Sequence, residues 1–524
     1  MHITVMILWL LSFVVSYVCF FNYIVHMFQQ NSYKREEHLH WVKVNYARLI
    51  GKFLFTLISV PFLCIENIGC LIVAFLCNVV TILLNKPNKT AKKPLVYTPR
   101  VKRMFITAFL CFLIPLVLFL VFRMNLVMRL VLVLLLVIIP VWITVINAMN
   151  QPIEKSINQG FIQEAADILK SMPNLTVIGV TGSYGKTSVK YFLSKLLSTK
   201  YNVLHTPGNF NTTLGVVRTV RSDLKAYHDI FICEMGARQV NDIKEICDLV
   251  HPKYGIITSI GPQHLQSFYS IENVVKTKFE LADAIPKEGC IFLNNDNTYI
   301  AEHKKLYENK TNICTYGVDD TDAKYIAYDI TVSAAGSSFK MKDVSGKEYA
   351  FTTRLMGKHN VENIAGAIAV ANTLGIDMEA LIYPVKQLES VPHRLQLQNQ
   401  GNRIILDDSY NSNKNGFMAA LDTLQGFQEL RILFTPGMVE LGEKQYSENK
   451  EAGSYAADKC DYAVLVGKEQ TKPIFDGLKE AGFPENKIII VEGLMEGFDR
   501  INGIPSEGKK KVVLIENDLP DNYS

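Results

Sequence analysis

The sequence predicts an α-helical transmembrane N-terminal region followed by an α/β part with a P-loop-type central domain and a C-terminal Rossmann-like domain. Three observations carry this prediction. Long apolar runs are confined to residues 1–150. From Gln151 onwards, short β-rich runs alternate with amphipathic helical patterns, which is typical of parallel α/β sheets. A glycine-rich loop, TGSYGKTS, follows the first of these strands.

The N-terminal region contains apolar runs near or above the roughly 18 to 20 residues that cross a bilayer. These runs are Ile3–Phe28, Leu49–Leu84, Phe105–Phe122 and Leu126–Ala148. The second run is too long for one untilted span, and Pro61 with Glu66 and Asn67 is expected to break it into a short hairpin. We therefore expect four or five spans in the cell membrane.

A basic segment, NKPNKTAKKPLVYTPRVKR, separates the second and third runs and has no acidic residue. The positive-inside rule places it in the cytoplasm, although Arg123 and Arg129 between the last two spans weaken the argument. Two spans later the chain emerges on the cytoplasmic side again, which predicts cytoplasmic catalytic domains. The net charge of +4 comes mostly from this segment, so no nucleic-acid partner is expected. The ten cysteines include no C-x-x-C pair, and reduced thiols are expected.

The alternation of elements divides the chain into a transmembrane module over residues 1–150, a linker helix over 151–175, a central ATP-binding domain over 176–388 and a C-terminal domain over 389–524. The central strands are predicted at Leu175–Val180, Asp229–Met235, Tyr254–Ile260 and Cys290–Asp296, with a β-meander at Ile326–Thr353. The C-terminal strands are predicted at Arg403–Asp408, Arg431–Pro436, Tyr462–Gly467, Lys487–Glu492 and Lys511–Glu516.

The stretch VIGVTGSYGKTSVK departs from the usual phosphate-binding loop, because Gly179 comes one residue too early. The loop nevertheless joins an apolar strand to a helix, where backbone N–H groups and the helix N-terminus favour phosphate. Lys186 is expected to reach the β and γ phosphates of ATP, and Thr187 to hold Mg²⁺. Glu234 ends a buried strand and offers a hard oxygen ligand to the same Mg²⁺.

The shortened loop resembles that of the Mur ligase family, the ATP-dependent amide ligases of cell-wall peptide synthesis. Further segments match that family in order: TPGNFNTTLG, EMGARQVNDI, ITSIGPQHLQSF, KTKFEL, GKHNVENIAGAIAVANTLGI and DDSYNSN. The resemblance runs from about Val177 to the end of the chain. EMGAR, GPQHL and DDSYN are most similar to the branch that adds D-alanyl-D-alanine to the muramoyl tripeptide.

The resemblance implies ATP and Mg²⁺ as cofactors, and transfer of the γ-phosphate to a carboxylate to give an acyl phosphate that an amine attacks. In relatives, the loop of His264 ligates a second Mg²⁺, and the lysine matching Lys278 is carbamylated to help hold it. The implied catalytic residues are Lys186, Lys278, His264 and Arg394. The implied metal ligands are Thr187, Glu234, His264 and Lys278.

The resemblance also implies which residues bind the nucleotide and the substrates. Asn360 and Asn363 reach the base, Arg394 closes on the γ-phosphate and Asp408 accepts from the ribose. The implied ATP-binding residues are Thr181, Gly182, Ser183, Gly185, Lys186, Thr187, Ser188, Asn360, Asn363, Arg394 and Asp408. The implied substrate contacts are Asn209, Asn211, Thr212, Tyr410, Asn411 and Asn413. The partners implied are a UDP- or lipid-linked cell-wall peptide precursor and an amino acid or dipeptide.

The chain departs from the branch in several places. The expected spans stand where relatives have a domain that grips UDP, and residues 1–150 do not resemble that domain. Lys414 replaces a proline, TPGMVELGE replaces a loop that usually carries an aspartate, and LIENDLPDNYS lacks the usual lysine-glycine-serine-arginine ending. Three alternatives therefore stay open beside the leading hypothesis: a poly-γ-glutamate synthase-like ligase, a ligase for pseudomurein, and an ATP-binding membrane scaffold without catalysis. The spans either tether the enzyme or help to recognise a lipid-linked substrate.

Overall fold

The computed structural model describes residues 2–65, 67–86, 94–121, 125–263, 265–320, 322–333, 335–410, 412–439, 441–506 and 508–517. The chain forms two compact units that divide between Gln159 and Gly160. Among the described residues, the first unit is helical and the second contains two β-sheets joined by helices. The prediction of apolar helices followed by an α/β part is confirmed.

The first unit consists of helices α1 to α6 and most of α7. Their bounds are α1 His2–Gln30, α2 Arg35–Val44, α3 Tyr46–Ile58, α4 Val60–Leu63, α5 Ile68–Leu84, α6 Pro99–Val121 and α7 Leu126–Lys170. By length and composition, the segments long and apolar enough to cross a membrane are Ile3–Gln30, Tyr46–Leu63, Pro99–Val121 and Leu126–Lys170. The predicted break in the second run is found between α4 and α5, where the Asn67 side chain accepts from the Gly69 N–H at 2.7 Å and caps α5.

The first sheet of the second unit has nine strands in the order β2-β3-β1-β4-β5-β6-β7-β8-β9. Strands β1 to β7 pair in parallel, and β7, β8 and β9 form the antiparallel meander that the alternating pattern predicted. Their bounds are β1 Thr176–Thr181, β2 Val203–His205, β3 Ile230–Glu234, β4 Tyr254–Ile257, β5 Cys290–Asn294, β6 Ile313–Gly317, β7 Tyr325–Ser333, β8 Gly336–Lys342 and β9 Glu348–Thr353.

The second sheet has six strands in the order β10-β11-β15-β12-β13-β14, all parallel except the β10–β11 pair. Their bounds are β10 Gln396–Gln400, β11 Arg403–Asp408, β12 Leu430–Thr435, β13 Tyr462–Val466, β14 Ile488–Val491 and β15 Lys511–Glu516. The helices of the second unit are α8 Lys186–Leu197, α9 Thr213–Ser222, α10 Asp242–Val250, α11 Leu265–Phe268, α12 Ile271–Ala284, α13 Thr298–His303, α14 Lys358–Thr373, α15 Met378–Lys386, α16 Lys414–Gln425, α17 Gln445–Ala456, α18 Lys468–Glu480 and α19 Leu494–Gly503.

The first sheet is buried on both faces, because its side chains alternate between two apolar clusters. Ile178 and Val180 pack on one face with residues of α8 and α14, whereas Val177 packs on the other with residues of α10 and α12. A Cβ on Gly179 would lie 2.6 Å from the Leu281 side chain, so a glycine lets α12 approach β1 closely. This packing fixes the C-terminal ends of the parallel strands, where α/β sheets carry their ligands.

Candidate active site

The glycine-rich loop lies between β1 and α8, beside the end of β4. Gly182 and Gly185 have φ of 151° and 79°, a region that favours glycine. A Cβ on Gly182 would lie 2.1 Å from Oγ1 of Thr258, and one on Gly185 would lie 2.5 Å from Oδ1 of Asn363. Both glycines are therefore required by backbone conformation and by close neighbours, as a loop that wraps a phosphate demands.

Residues that follow β4 hold this loop in place. The Ser183 N–H donates to the Ser259 carbonyl at 2.6 Å, and the Ser183 hydroxyl donates to the Gly261 carbonyl at 3.1 Å. The Thr258 hydroxyl donates to the Tyr184 carbonyl. These bonds order the loop before any ligand binds, which favours tight phosphate binding because little conformational freedom remains to be lost.

Thr187 and Glu234 lie together because β1 and β3 pair in register, with Val180 opposite Glu234. The Thr187 hydroxyl donates to Oε1 of Glu234 at 3.2 Å, and Nδ2 of Asn211 donates to the same oxygen at 3.0 Å. Asn211, assigned to substrate by the resemblance, thus contacts the carboxylate that we expect to hold Mg²⁺. Nearby, the Thr181 hydroxyl is turned inward and donates to the Met235 carbonyl at 2.9 Å.

Lys190 completes this cluster, and the sequence reasoning missed it. Its Nζ lies 2.9 Å from Oε2 of Glu234 and donates to the Gly208 carbonyl at 2.6 Å, and its side chain has no exposed surface. The spacing held the signal, since Lys190 follows Thr187 by three residues on α8 and so lies on the same helix face. Through these two contacts, the Lys190 ammonium on α8 connects that helix to Glu234 on β3 and to Gly208, directly before the loop of Asn209 to Thr212.

The charges around Glu234 keep its carboxylate ionised. Burial alone would raise the pKa of Glu234, but the ammonium groups of Lys190 and Lys186 outweigh burial and lower it. Lys186 donates to the carbonyls of Gly182 and Ser183 at 2.7 and 3.1 Å. The pKa of Lys186 is lowered to about 8. Burial is the main cause, the charge of Arg394 adds to the lowering, and the Glu234 carboxylate opposes it. The structure therefore brings Lys186, Glu234 and Arg394 within electrostatic reach of one another.

Hard oxygen ligands suit Mg²⁺, and the site offers them. The Thr187 hydroxyl and the Glu234 carboxylate lie at the N-terminal end of α8, where phosphate oxygens would complete the shell. Among the residues that the structure describes, no group of three or more His, Cys, Asp or Glu side chains is arranged to hold a metal ion. His264 lies outside those residues. The donor set fits one Mg²⁺ shared with a nucleotide.

Lys278 lies on α12 with only 3% of its surface exposed. Its pKa is lowered to about 7, chiefly by burial and then by the charge of Lys186, while Asp242 and Glu280 oppose the shift. An uncharged amine is the form that reacts with carbon dioxide, so these surroundings suit the carbamate implied by the resemblance. Glu280 has a different task, because its carboxylate accepts from the N–H groups of Asn241 and Lys244 at 2.7 and 2.9 Å at the start of α10.

The C-terminal domain contributes Arg394, Asp408 and Tyr410. The Arg394 guanidinium lies over the Tyr410 ring, 4.4 Å from its centroid. Oδ1 of Asp408 accepts from the Leu395 N–H at 3.1 Å, which ties the segment of Arg394 to the end of β11. His393 and Leu395 both have positive φ, 62° and 47°, so the backbone is strained on either side of Arg394.

Several of the expected ligand contacts are engaged with backbone. Asn360 donates to the Met356 carbonyl at 2.7 Å, Thr212 caps α9 by accepting from the Gly215 N–H at 3.3 Å, and Asn413 caps α16 by accepting from the Gly416 N–H at 3.0 Å. Asn363 lies beside Gly185, Ser188 is partly buried and Asn209 is exposed. Asn411 lies outside the described residues.

Comparisons with known proteins identify the family. Residues 180–371 match the model of the Mur ligase middle domain, and residues 393–515 match that of the Mur ligase glutamate ligase domain. This chain belongs to the Mur ligase family. The UDP-N-acetylmuramoyl-tripeptide--D-alanyl-D-alanine ligase of Haemophilus influenzae is 34% identical over 298 residues, which are 56% of this chain and 64% of that protein. The ligase of the same name from Escherichia coli is 29% identical over 61% of this chain and 70% of its own length.

The fold of this Mur ligase is also that of solved relatives. A MurF structure from Acinetobacter baumannii superposes with a TM-score of 0.63 at 24% identity, covering 69% of this chain and 78% of that one. The MurF ligase of Thermotoga maritima, solved in complex with ADP, superposes with a TM-score of 0.60 at 23% identity. The match covers 69% of this chain and 80% of that one. The chain spans just under two thirds of the Haemophilus influenzae relative, and both family models match residues beyond 179.

Proposed function

We propose that this protein is a membrane-anchored, ATP-dependent amide ligase that adds an amino acid or dipeptide to a cell-wall peptide precursor. The observation that carries the proposal is the cluster at the end of β1, where a preformed phosphate loop faces the Thr187–Glu234 pair and Arg394 approaches from the C-terminal domain. The names of the curated relatives support D-alanyl-D-alanine as donor and a UDP-linked muramoyl tripeptide as acceptor.

The chain's own residues account for nucleotide binding. Backbone N–H groups of the loop and of the first turn of α8 face the phosphates. Lys186, which donates to loop carbonyls in this structure, would turn its ammonium to the β and γ phosphates. Arg394 would add a second positive charge, and its guanidinium is already held against Tyr410. Asp408 would accept from the ribose hydroxyls.

Amide formation then takes two steps. The precursor's carboxylate oxygen bonds to the γ-phosphorus as the bond to ADP breaks, which gives an acyl phosphate. The uncharged amine of the second substrate bonds to the carbonyl carbon, phosphate leaves, and the extra proton on nitrogen passes to solvent. Negative charge gathers in both steps, so fixed cations such as Lys186 and Arg394 stabilise the transition states.

Mg²⁺ supplies Lewis-acid stabilisation of phosphate oxygens when it is bound. Thr187 and Glu234 would hold it, with Lys278 as a second holder once its amine is a carbamate. Lys190 would keep the Glu234 carboxylate ionised and aimed at this position, because it neutralises the opposite oxygen.

The apolar helices of the first unit support an anchor in the cell membrane, with the catalytic domains in the cytoplasm. An anchor concentrates the enzyme where a wall precursor is made, and a lipid-linked precursor would lie in the same surface. The basic segment before α6 supports a cytoplasmic position for this end of the module.

The test is incubation of the purified full-length protein with ATP, Mg²⁺, UDP-linked muramoyl tripeptide and D-alanyl-D-alanine. We expect release of one phosphate per product whose mass equals the tripeptide precursor plus the dipeptide less water. Glutamate and single amino acids replace the dipeptide in parallel reactions and separate this activity from the other ligase hypotheses. Nucleotide binding without phosphate release with any donor would favour a non-catalytic scaffold.

A further inference from the structure

A pair of acidic side chains lies at the end of the second sheet, behind the segment of Arg394. Strands β11 and β15 are parallel neighbours with Asp408 directly opposite Glu516. Residues in register on adjacent parallel strands point to the same face, so the two carboxyl groups emerge side by side. Glu516 is only 1% exposed, so water does not separate its charge from that of Asp408.

One oxygen of this pair has no ordinary hydrogen-bond donor. Oε1 of Glu516 accepts from the Ser412 hydroxyl at 2.6 Å, whereas Oε2 is buried and no N–H or hydroxyl group among the described residues donates to it. The hydrogen-bonding neighbour of Glu516 is the Asp408 carboxyl, which can donate only if the pair carries a proton. Asp408 is better served, since Oδ1 accepts from the Leu395 N–H. A buried ionised oxygen without a donor is strongly unfavourable, and two adjacent buried carboxylates cannot both stay ionised.

We propose that Asp408 and Glu516 share one proton, so that the pair carries a single negative charge. Glu516 is then a positioning residue, which holds the Asp408 carboxyl at the nucleotide site. The proton supplies the donor that Oε2 of Glu516 lacks. Asp408 keeps free lone pairs for a ribose hydroxyl. The part that concerns the nucleotide rests on the proposed function, whereas the shared proton does not.

The surrounding charges agree with one negative charge. Burial and the neighbouring Asp408 raise the pKa of Glu516. The pKa of Asp408 is raised to about 6, chiefly by burial and also by Asp407, while the Leu395 N–H and Arg394 oppose the shift. Asp407 itself lies 2.8 Å from the His393 ring. One carboxylate balances the Arg394 guanidinium, whereas two would repel each other and the phosphates of a nucleotide.

The first experiment follows the thermal midpoint of full-length Glu516→Gln and of the wild type against pH. The amide donates to Asp408 without a titrating proton and still accepts from Ser412. The wild type holds a proton when folded and releases it when unfolded, so its stability falls as pH rises from the unfolded carboxyl pKa of about 4 through the folded pKa. We expect the midpoint of Glu516→Gln to gain on the wild type between about pH 5 and 8.

Glu480→Gln is the matched control, because Glu480 is an exposed carboxylate of the same domain paired with Lys450. Its midpoint should keep a constant difference from the wild type. Ser412→Ala is the second variant and should fold whether or not Glu516→Gln does. It removes the donor to Glu516, raises the pKa of the pair and moves the loss of stability to higher pH. The shared proton would be overturned if the thermal midpoints of both test variants differed from the wild type by an amount that does not change with pH. It would also be overturned if the wild-type midpoint rose saturably with added Na⁺, K⁺ or Mg²⁺.

The second experiment measures ADP affinity against pH. Above the pKa of the shared proton, the ADP affinity of the wild type should fall by about tenfold per pH unit. The ADP affinity of Glu516→Gln should stay within about twofold over the same range. Parallel curves for the two proteins would overturn the positioning role. If neither protein binds ADP at any pH while the midpoints behave as expected, the shared proton stands and the proposed function fails.

Discussion

Removal of the Lys190 ammonium should destabilise the central domain far more than removal of an ordinary lysine. Lys190→Met keeps the length of the side chain but deletes the ion pair to Glu234 and the hydrogen bond to the Gly208 carbonyl. Both partners of the ion pair are at most 1% exposed, so water cannot replace the ammonium. Breaking one partner of a buried pair costs about 3 to 5 kcal/mol, because the other charge stays buried. The thermal midpoint should fall by about 6 to 20 °C.

Calorimetry of the full-length protein measures this midpoint, and fluorescence provides an internal control. All three tryptophans, Trp9, Trp41 and Trp142, lie in the first unit, so the transition of the central domain is read by calorimetry and not by tryptophan. The tryptophan signal should be unchanged in Lys190→Met.

The double variant Lys190→Met/Glu234→Gln decides whether the ion pair is the cause. Because Glu234→Gln removes the buried negative charge, the double variant should recover most of the stability that Lys190→Met loses. The double-mutant cycle measures this recovery as the coupling energy of the two residues. The argument fails if Lys190→Met unfolds within about 2 °C of the wild type, or if the double variant is no more stable than the single one.

Two further predictions concern the catalytic steps, and a third concerns the spans. Lys186→Ala should lower ATP-dependent ligation by about 100-fold or more while the protein stays folded, and near-normal turnover would sink the ligase proposal. Lys278→Ala should lose activity and regain part of it with a short carboxylic acid, and stripping carbon dioxide should slow the wild type, most of all below about pH 7, where the amine becomes charged. Indifference to both treatments would make Lys278 an ordinary lysine. A chain beginning at Gln151 should match the full-length rate on UDP-linked peptide if the spans are a tether, whereas a need for intact spans and a lipid-linked acceptor would support recognition in the bilayer.

Local patterns in the sequence predict the strands and the phosphate loop well. The strands Arg403–Asp408 and Lys511–Glu516 begin and end where the pattern put them, and β4 ends earlier, at Ile257 rather than Ile260. The shortening has a physical reason. The Thr258 N–H still donates to the Thr181 carbonyl of β1 at 2.9 Å, but the Thr258 hydroxyl and the Ser259 carbonyl bond the phosphate loop instead of continuing the strand. Period and turn chemistry are short-range signals and survive folding.

Partners from distant parts of the chain could not be predicted. The spacing from Thr187 shows which face of α8 carries Lys190, but its partner Glu234 becomes evident only once β3 lies beside that helix. Asp408 and Glu516 are far apart in sequence and meet only through the register of β11 and β15. For Asn360 the sequence could not distinguish between two roles, because an asparagine near the start of a helix can contact either the backbone or a ligand. In the structure it donates to the Met356 carbonyl.

For the membrane anchor proposed above, contacts within the first unit predict the direction of the chain. Gln29 exchanges two hydrogen bonds with the backbone of Val96, so the end of α1 and the start of α6 lie at the same level. Lys52 in the middle of α3 donates to the Leu84 carbonyl at the end of α5 at 2.7 Å, so α3 to α5 form a hairpin in which α5 returns to the level of Lys52. The spans therefore number five if the hairpin crosses, because α5 is about 25 Å long at 1.5 Å per residue, close to the roughly 30 Å of a bilayer core.

With the basic segment in the cytoplasm, five spans place the N-terminus and the tip of the hairpin outside. Cys64 is exposed at that tip and serves as the probe. In intact cells, a chain whose only cysteine is Cys64 should react with a membrane-impermeant maleimide. The matched control carries Glu36→Cys as its only cysteine, in α2 between α1 and the hairpin, and should react only after the membrane is permeabilised. Labelling of the Glu36→Cys chain in intact cells would refute the orientation. A Cys64 that stays unlabelled even after permeabilisation would show that the hairpin enters the bilayer without crossing it, because the hairpin's apolar helices would then hold their tip among lipid chains.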